Sequence, residues 1–178
     1  MGSELTETTK QPRTTTLDGD RLETMPDGVI FRDLVTHPDQ RGHVIELFNP
    51  NWEWHPEPLR HSYVFTVRPG MAKGWGMHKR ASDRYAMLFG EMLTVLYDGR
   101  EGSPTQGMVA EVTMSEHRRR LMAIPPGVWH ANVNLGSKDA VIINFKTEPY
   151  DHEDPDKYLR PLDTDEIPYT FKGNVQGW

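Results

Sequence analysis

The chain has 178 residues, no cysteine, 26% charged residues and a formal net charge of -6 at pH 7. That length suits one domain with a sizeable core; the missing thiols exclude disulfides, thiolate metal sites and cysteine nucleophiles, and the acidic balance speaks against gripping nucleic acid through its phosphates. No apolar run reaches transmembrane length and the opening "MGSELTETTKQPRTTT" lacks the apolar stretch of a secretory signal, so a soluble, cytoplasmic protein without membrane or nucleic-acid partners is expected.

Residues 1–24, rich in Thr and poor in apolar side chains, read as a mobile tail, and residues 25–178 as a single domain. From Gly28 the chain offers nine short alternating or β-branched runs: "GVIFRDLV", "HVIELF", "HSYVFTV", "YAMLFG", "MLTVLYDG", "MVAEVTM", "RLMAIP", "VWHANVN" and "AVIINFKT". Turn signals separate them, among them "HPDQRG", "NPNW", "RPGM", "DGREGSP" and "LGSKD". Short strands at this spacing, with almost no helical periodicity, predict an all-β antiparallel sandwich or barrel. After Tyr150 the acidic, proline-punctuated "DHEDPDKYLRPLDTDEIPY" is an irregular segment that either wraps over the barrel or forms a short helical turn.

The stretch "IPPGVWHANVN" (124–134) is tightly constrained. Pro126 and Gly127 define a corner, and the alternation that follows starts a strand at Val128 that places His130 on the opposite face from Trp129. The stretch resembles the second half of the cupin signature, P-x-G-x-x-H-x-x-x-N. The first half falls in "GWGMHKRASDRYAMLFGE", with His78 at the first histidine, Arg80 in place of the second and Asp83 near the acidic position. His78, Asp83 and His130 are donors of the kind that hold a divalent metal. An arginine in their midst repels such a cation, so no metal and no other cofactor is expected.

Four stretches in order narrow the family: "DQRGHVIELF" (39–48), "WGMH" (75–78), "DGREGSPTQG" (98–107) and "SEHRRRLMAIPPGVWHA" (115–131). Their order and spacing resemble the dTDP-4-dehydrorhamnose 3,5-epimerases, whose motifs read D-x-R-G-x-x-x-E-x-F, R-G-L-H, D-x-R-x-x-S-P-T-x-G and I-P-x-G-x-x-H. The third motif is the most specific.

This resemblance implies a metal-free cupin jelly roll, double-stranded and antiparallel, that forms a homodimer and acts on a small molecule, a dTDP-linked 4-keto-6-deoxyhexose. It implies that Arg41 and Glu46 contact the nucleotide, partly from a neighbouring chain, that Tyr150 packs against the base, and that His78 is the catalytic base with His130 lining the same cavity. In the family an aspartate orients that imidazole, a role for which Asp163, Asp165 and Asp83 are the candidates. A proton next to a ketone can be removed by a placed base if the enolate oxygen is stabilised, and returning it from the other face inverts the centre.

The chain departs from the family in two places. The arginine before Gly-Leu-His is Trp75, leaving Arg80, Arg84, Lys73 or Arg60 to supply positive charge. The acid tyrosine falls at Asn144 or Phe145, and neither donates a proton as a phenol does, so Tyr85 or a water would have to act. Trp75 and Asn144 therefore line the substrate site in altered form. Two functions follow: an epimerase acting on a nucleotide-linked keto sugar, and a divergent cupin that binds a sugar nucleotide or other carbonyl compound without epimerising it, as a tautomerase, cyclase, lyase or binding protein. A metal-dependent oxygenase is a third and weaker reading, since the H-x-H is broken.

Overall fold

The computed structural model describes residues 10–173 and 175–177. In chain order the strands are β1 (Ile30–Asp33), β2 (Thr36–Asp39), β3 (Gly42–Ile45), β4 (His61–Val67), β5 (Met71–Met77), β6 (Asp83–Phe89), β7 (Glu91–Asp98), β8 (Val109–Ser115), β9 (Arg120–Ile124), β10 (Val128–Val133), β11 (Ala140–Lys146), β12 (Tyr158–Arg160) and β13 (Gln176–Gly177). All nine expected runs carry a strand. Four strands were not expected: β2 was read as a turn, β5 is interrupted by Lys73, Gly74 and Gly76, and β12 and β13 lie in the irregular C-terminal stretch.

The strands form a five-stranded sheet, β1-β9-β6-β11-β4, and a second sheet, β12-β5-β10-β7-β8, with β13 also paired to β5. Every pairing is antiparallel except β13 with β5. Inward residues of both sheets, including Met87, Leu96, Val112, Met122 and Ile142, meet in one apolar core, as the alternation of each strand requires. The expected all-β jelly-roll architecture is thus present.

Each sheet also buries its outer face. On the five-stranded sheet, Ala86, Leu121 and Phe145 are covered by Leu47, Phe48, Trp52 and Trp54 from the segment after β3. On the other sheet, Trp75, Val95 and Ala131 are covered by Leu162, Ile167, Tyr169 and Phe171. The C-terminal segment therefore wraps over the sandwich, and β12 and β13 cap the edge of β5 that would otherwise be unpaired.

The corner before β10 is set by Gly127, whose φ of 82° lies in the left-handed region. A Cβ there would stand 2.7 Å from Cγ of Arg100. Arg100 is itself fastened to the buried Asp98, which accepts from Arg100 Nε at 2.8 Å and from the hydroxyls of Ser103 and Thr105 at 2.6 Å each. Arg100 hydrogen bonds, then the hydroxyls, hold the Asp98 carboxyl well below the usual carboxylate range. The "DGREGSPT" motif is thus a loop clamp whose Arg100 also donates to the carbonyl of Asp27 at 2.6 Å.

Residues 1–9, part of the expected tail, lie outside the described residues. Within 10–24, Thr15 bridges Arg21 and Glu23 pairs with Arg120 at 2.9 Å.

Candidate active site

A cavity of about 380 Å³ opens between the β4 edge of one sheet and β5 of the other. From β4, the alternation of "HSYVF" turns His61, Tyr63 and Phe65 toward it. From the β5 side, the pairing with β10 shifts register between His130 and Asn132, which are opposite Gly76 and Lys73 respectively. That irregularity lets Lys73, Gly76 and His78 all face the cavity. Gly76 lies against His130, whose Nε2 would stand at an ordinary contact distance of 3.7 Å from a Cβ there. Lys146, Tyr150 and Lys157 complete its polar wall.

Beneath the cavity floor sits the buried Asp83, first residue of β6. One carboxylate oxygen, Oδ2, lies 3.3 Å from His78 Nε2 and 3.2 Å from His130 Nε2, and accepts from the Tyr85 hydroxyl at 3.4 Å. The other, Oδ1, receives Lys146 Nζ at 2.8 Å and Asn144 Nδ2 at 2.7 Å. Burial pushes the Asp83 carboxyl upward, but the neighbouring imidazoles of His130 and His78 and the charge of Lys146 outweigh it and hold the group well below its ordinary value. The same burial, with the Asp83 charge, raises the Tyr85 phenol far above the usual tyrosine range.

His78 follows the end of β5, and its Nδ1 hydrogen bonds to the backbone carbonyl of Asp156. A carbonyl only accepts, so Nδ1 carries hydrogen and Nε2 is the nitrogen left to exchange a proton. Asp156 holds the same loop a second way. Its carboxylate accepts from the backbone N–H groups of Lys79, Arg80 and Ala81 at 2.9, 2.9 and 3.0 Å. These bonds outweigh burial and keep the Asp156 carboxyl below its ordinary value.

Of the residues singled out in the sequence, His78, Asp83, His130 and Asn144 come together, with Tyr85, Lys73 and Tyr150 on the same cavity. Several others do not. Trp75 is fully buried on the outer face of its sheet, packed on Tyr169 and Phe171, and cannot touch a ligand in the cavity. Arg84 is fully buried, and its guanidinium is spent on the carbonyls of Phe145, Glu57 and Pro58, where it pins the covering segment. Asp163 is exposed on the C-terminal wrap, beside Ile167 and Phe171, so the carboxylate facing His78 is Asp83 and the C-terminal aspartate touching it is Asp156.

Arg80 also stands elsewhere than expected. Its side chain is 58% exposed, 3.8 Å from Asp154, on a smaller pocket that it lines with His78, Lys146 and Tyr150, and the cation within the His78, Asp83 and His130 cluster is Lys146. Arg41 sits on the turn between β2 and β3, 90% exposed and paired with Asp39, while Glu46 accepts from Asn49 Nδ2. Neither lines the cavity of its own chain.

Lys146, Tyr63, Asp156 and Lys157 were missed. Lys146 is two residues after Asn144 and so shares its face, and Tyr63 lies in an alternating aromatic stripe with His61 and Phe65; both signals are period-two patterns. Asp156 is one of several acidic residues in its segment, with nothing local to mark it. Burial, then the charges of Lys73 and Lys146, lowers the Lys157 ammonium from its ordinary value, so three lysines crowd the cavity.

The family model described as dTDP-4-dehydrorhamnose 3,5-epimerase matches residues 23–171. The chain is 35% identical over 150 residues to the probable low-salt glycan biosynthesis epimerase Agl13 of Haloferax volcanii, covering 84% of this chain and 96% of that protein. It is similar to the dTDP sugar isomerase structure from Desulfovibrio desulfuricans, with a TM-score of 0.76 and 29% identity over 82% of this chain and 91% of that one. The 3'-monoepimerase ChmJ of Streptomyces bikiniensis, solved with dTDP-quinovose, shares the fold with a TM-score of 0.75 and 21% identity, covering 88% of this chain and 81% of that one. With its jelly roll, its buried His-Asp-His cluster and the match over residues 23–171, the chain belongs to the dTDP-4-dehydrorhamnose 3,5-epimerase family.

Proposed function

We propose that the cavity between β4 and β5 binds a nucleotide-linked 4-keto-6-deoxyhexose, and that His78 removes a proton from a carbon beside its ketone. The observation that carries this is the setting of the His78 ring. With Nδ1 held as N–H by the Asp156 carbonyl, Nε2 takes up the proton, and the Asp83 carboxylate at 3.3 Å stabilises the imidazolium that results. His130 and Lys146, both buried beside the cavity, supply positive or hydrogen-bonding groups to the oxygen of the enolate. Lys73 and Lys157 suit a diphosphate, and the half-exposed Tyr150 suits the base of the nucleotide.

This chemistry needs no metal. Lys146 already neutralises the carboxylate that a cation would use, and its ammonium would repel one. The name of Agl13 as a probable glycan biosynthesis epimerase supports the reaction class, and that of ChmJ as a 3'-monoepimerase crystallised with dTDP-quinovose supports a dTDP-linked sugar.

We further propose one cupin domain from about residue 25, working as a homodimer in the cytoplasm. Among the described residues the outer edge of β4 is unpaired, its Val64 is 53% exposed, and the β2–β3 hairpin forms a separate two-stranded sheet. A second copy seated on β4 would cover that edge and bring Arg41 and Glu46 toward the cavity.

A thermal-shift panel of nucleotide sugars tests the binding half of this reading. A true ligand at a hundredfold excess over its dissociation constant stabilises the native state by about 2.7 kcal/mol. A panel in which no dTDP-linked sugar shifts the transition contradicts it.

A further inference from the structure

Inversion needs a proton donor on the wall opposite the base, and the strand position where the family has its tyrosine falls at Asn144 or Phe145 here, of which Phe145 is turned outward onto Phe48. Three phenols line the cavity, those of Tyr63, Tyr85 and Tyr150. Their hydrogen bonds distinguish them. Tyr85 is 3% exposed and its O–H already donates to Asp83. Tyr150 has no hydrogen bond among the described residues that would fix its hydroxyl.

Tyr63 is directly opposite Asn144 across the β4–β11 ladder. The amide of Asn144 has only one possible orientation. Its Oδ1 accepts from the backbone N–H of Arg84 at 2.9 Å, so Nδ2 is the atom that meets Asp83 Oδ1 at 2.7 Å and the Tyr63 hydroxyl at 3.0 Å. An N–H facing the phenol oxygen makes that oxygen an acceptor, and its own hydrogen is free to point to a ligand. Tyr63 also belongs to the five-stranded sheet, whereas His78 follows β5 of the other sheet, so the two reach the cavity from different sheets.

We infer that Tyr63 is the acid of the epimerisation: the phenol has moved one strand over, from β11 to β4, and Asn144 has become its positioning partner. This rests on the assignment of His78 as base. The step balances as follows. His78 Nε2 takes the proton as the C–H bond breaks, and the electron pair enters the enolate. The Tyr63 O–H bond then breaks as a new C–H bond forms on the opposite face. The tyrosinate left behind is stabilised by the hydrogen bond it keeps from Asn144 Nδ2, then regains a proton from solvent while His78 releases one, so nothing is consumed. Burial, then the Asp83 charge, pushes the Tyr63 phenol up to about 12, so it carries its proton at neutral pH, and the hydrogen bond from Asn144 is what favours the tyrosinate when that proton leaves.

The experiment follows a dTDP-4-keto-6-deoxyhexose in deuterated water by NMR, reading deuterium wash-in and inverted product separately, for the parent protein, Tyr63→Phe and Tyr85→Phe. The expected result is that Tyr63→Phe loses inversion by at least about a hundredfold while wash-in on the base's face persists. Persistent wash-in also shows that the variant is folded. Inversion at the parental rate in Tyr63→Phe overturns the inference, as does loss of wash-in together with inversion, or a selective loss of inversion in Tyr85→Phe instead. A parent that shows neither wash-in nor inversion overturns the epimerase reading itself, and the acid with it.

Discussion

Lys146 Nζ lies 2.8 Å from Asp83 Oδ1, and both side chains are buried, at 6% and 1% exposure. Breaking such a pair from one side leaves a charge without a partner in a low-dielectric site, at a cost of about 3–5 kcal/mol. Asp83→Asn is expected to lose stability of that order at pH 7. The folded-state pKa of Asp83 is depressed, so its contribution is fully present above the ordinary value of 3.8 and is lost as the pH falls through the folded value. Urea denaturation at pH 7 and pH 3 should therefore show a large difference between parent and variant at the first and a smaller one at the second. An equal difference at both would contradict the charge assignment.

The same ion pair predicts the metal content. The purified parent should carry less than about 0.1 equivalent of zinc, iron or nickel by elemental analysis, because the Lys146 ammonium already pairs with the carboxylate that a cation would use and would repel it. Near one equivalent, lost in His78→Ala or His130→Ala, would restore the metal-dependent reading.

Asp156 positions the His78 loop through three backbone N–H groups. Asp156→Ala should lower kcat by about tenfold and leave KM nearly unchanged, since the ring and not the binding wall loses its support. Asp156→Asn should recover part of the loss, because its amide oxygen still accepts. A change confined to KM would mean that Asp156 serves binding.

The jelly roll and the pairing of His78 with His130 were legible because both rest on local patterns: period-two strands, turn residues and a Pro-Gly corner. Trp75 and Arg84 were misplaced because the sequence of a strand shows its two faces but not which face meets the cavity, and here covering segments bury both outer faces. Arg80 was misjudged for a related reason. It stands three residues before Asp83 in a loop, and no strand periodicity governs where its side chain turns. Asp156 could not be found at all, since its contact with His78 spans 78 residues and depends on how the C-terminal segment docks.

The unpaired β4 edge gives a prediction about assembly. Sedimentation at micromolar concentration should show a dimer for the parent, and Val64→Arg, a charge placed on that edge, should shift it toward monomer. A parent that sediments as a monomer would remove the shared-site role of Arg41 and Glu46.

His78 is assigned the removal of a proton beside a ketone. Incubation with a dTDP-4-keto-6-deoxyhexose in deuterated water measures it most directly. The parent should wash deuterium into the sugar ring, and His78→Asn should abolish that exchange, by at least about a hundredfold, while nucleotide affinity changes little. Exchange that persists in His78→Asn would contradict the assignment and transfer the base to His130.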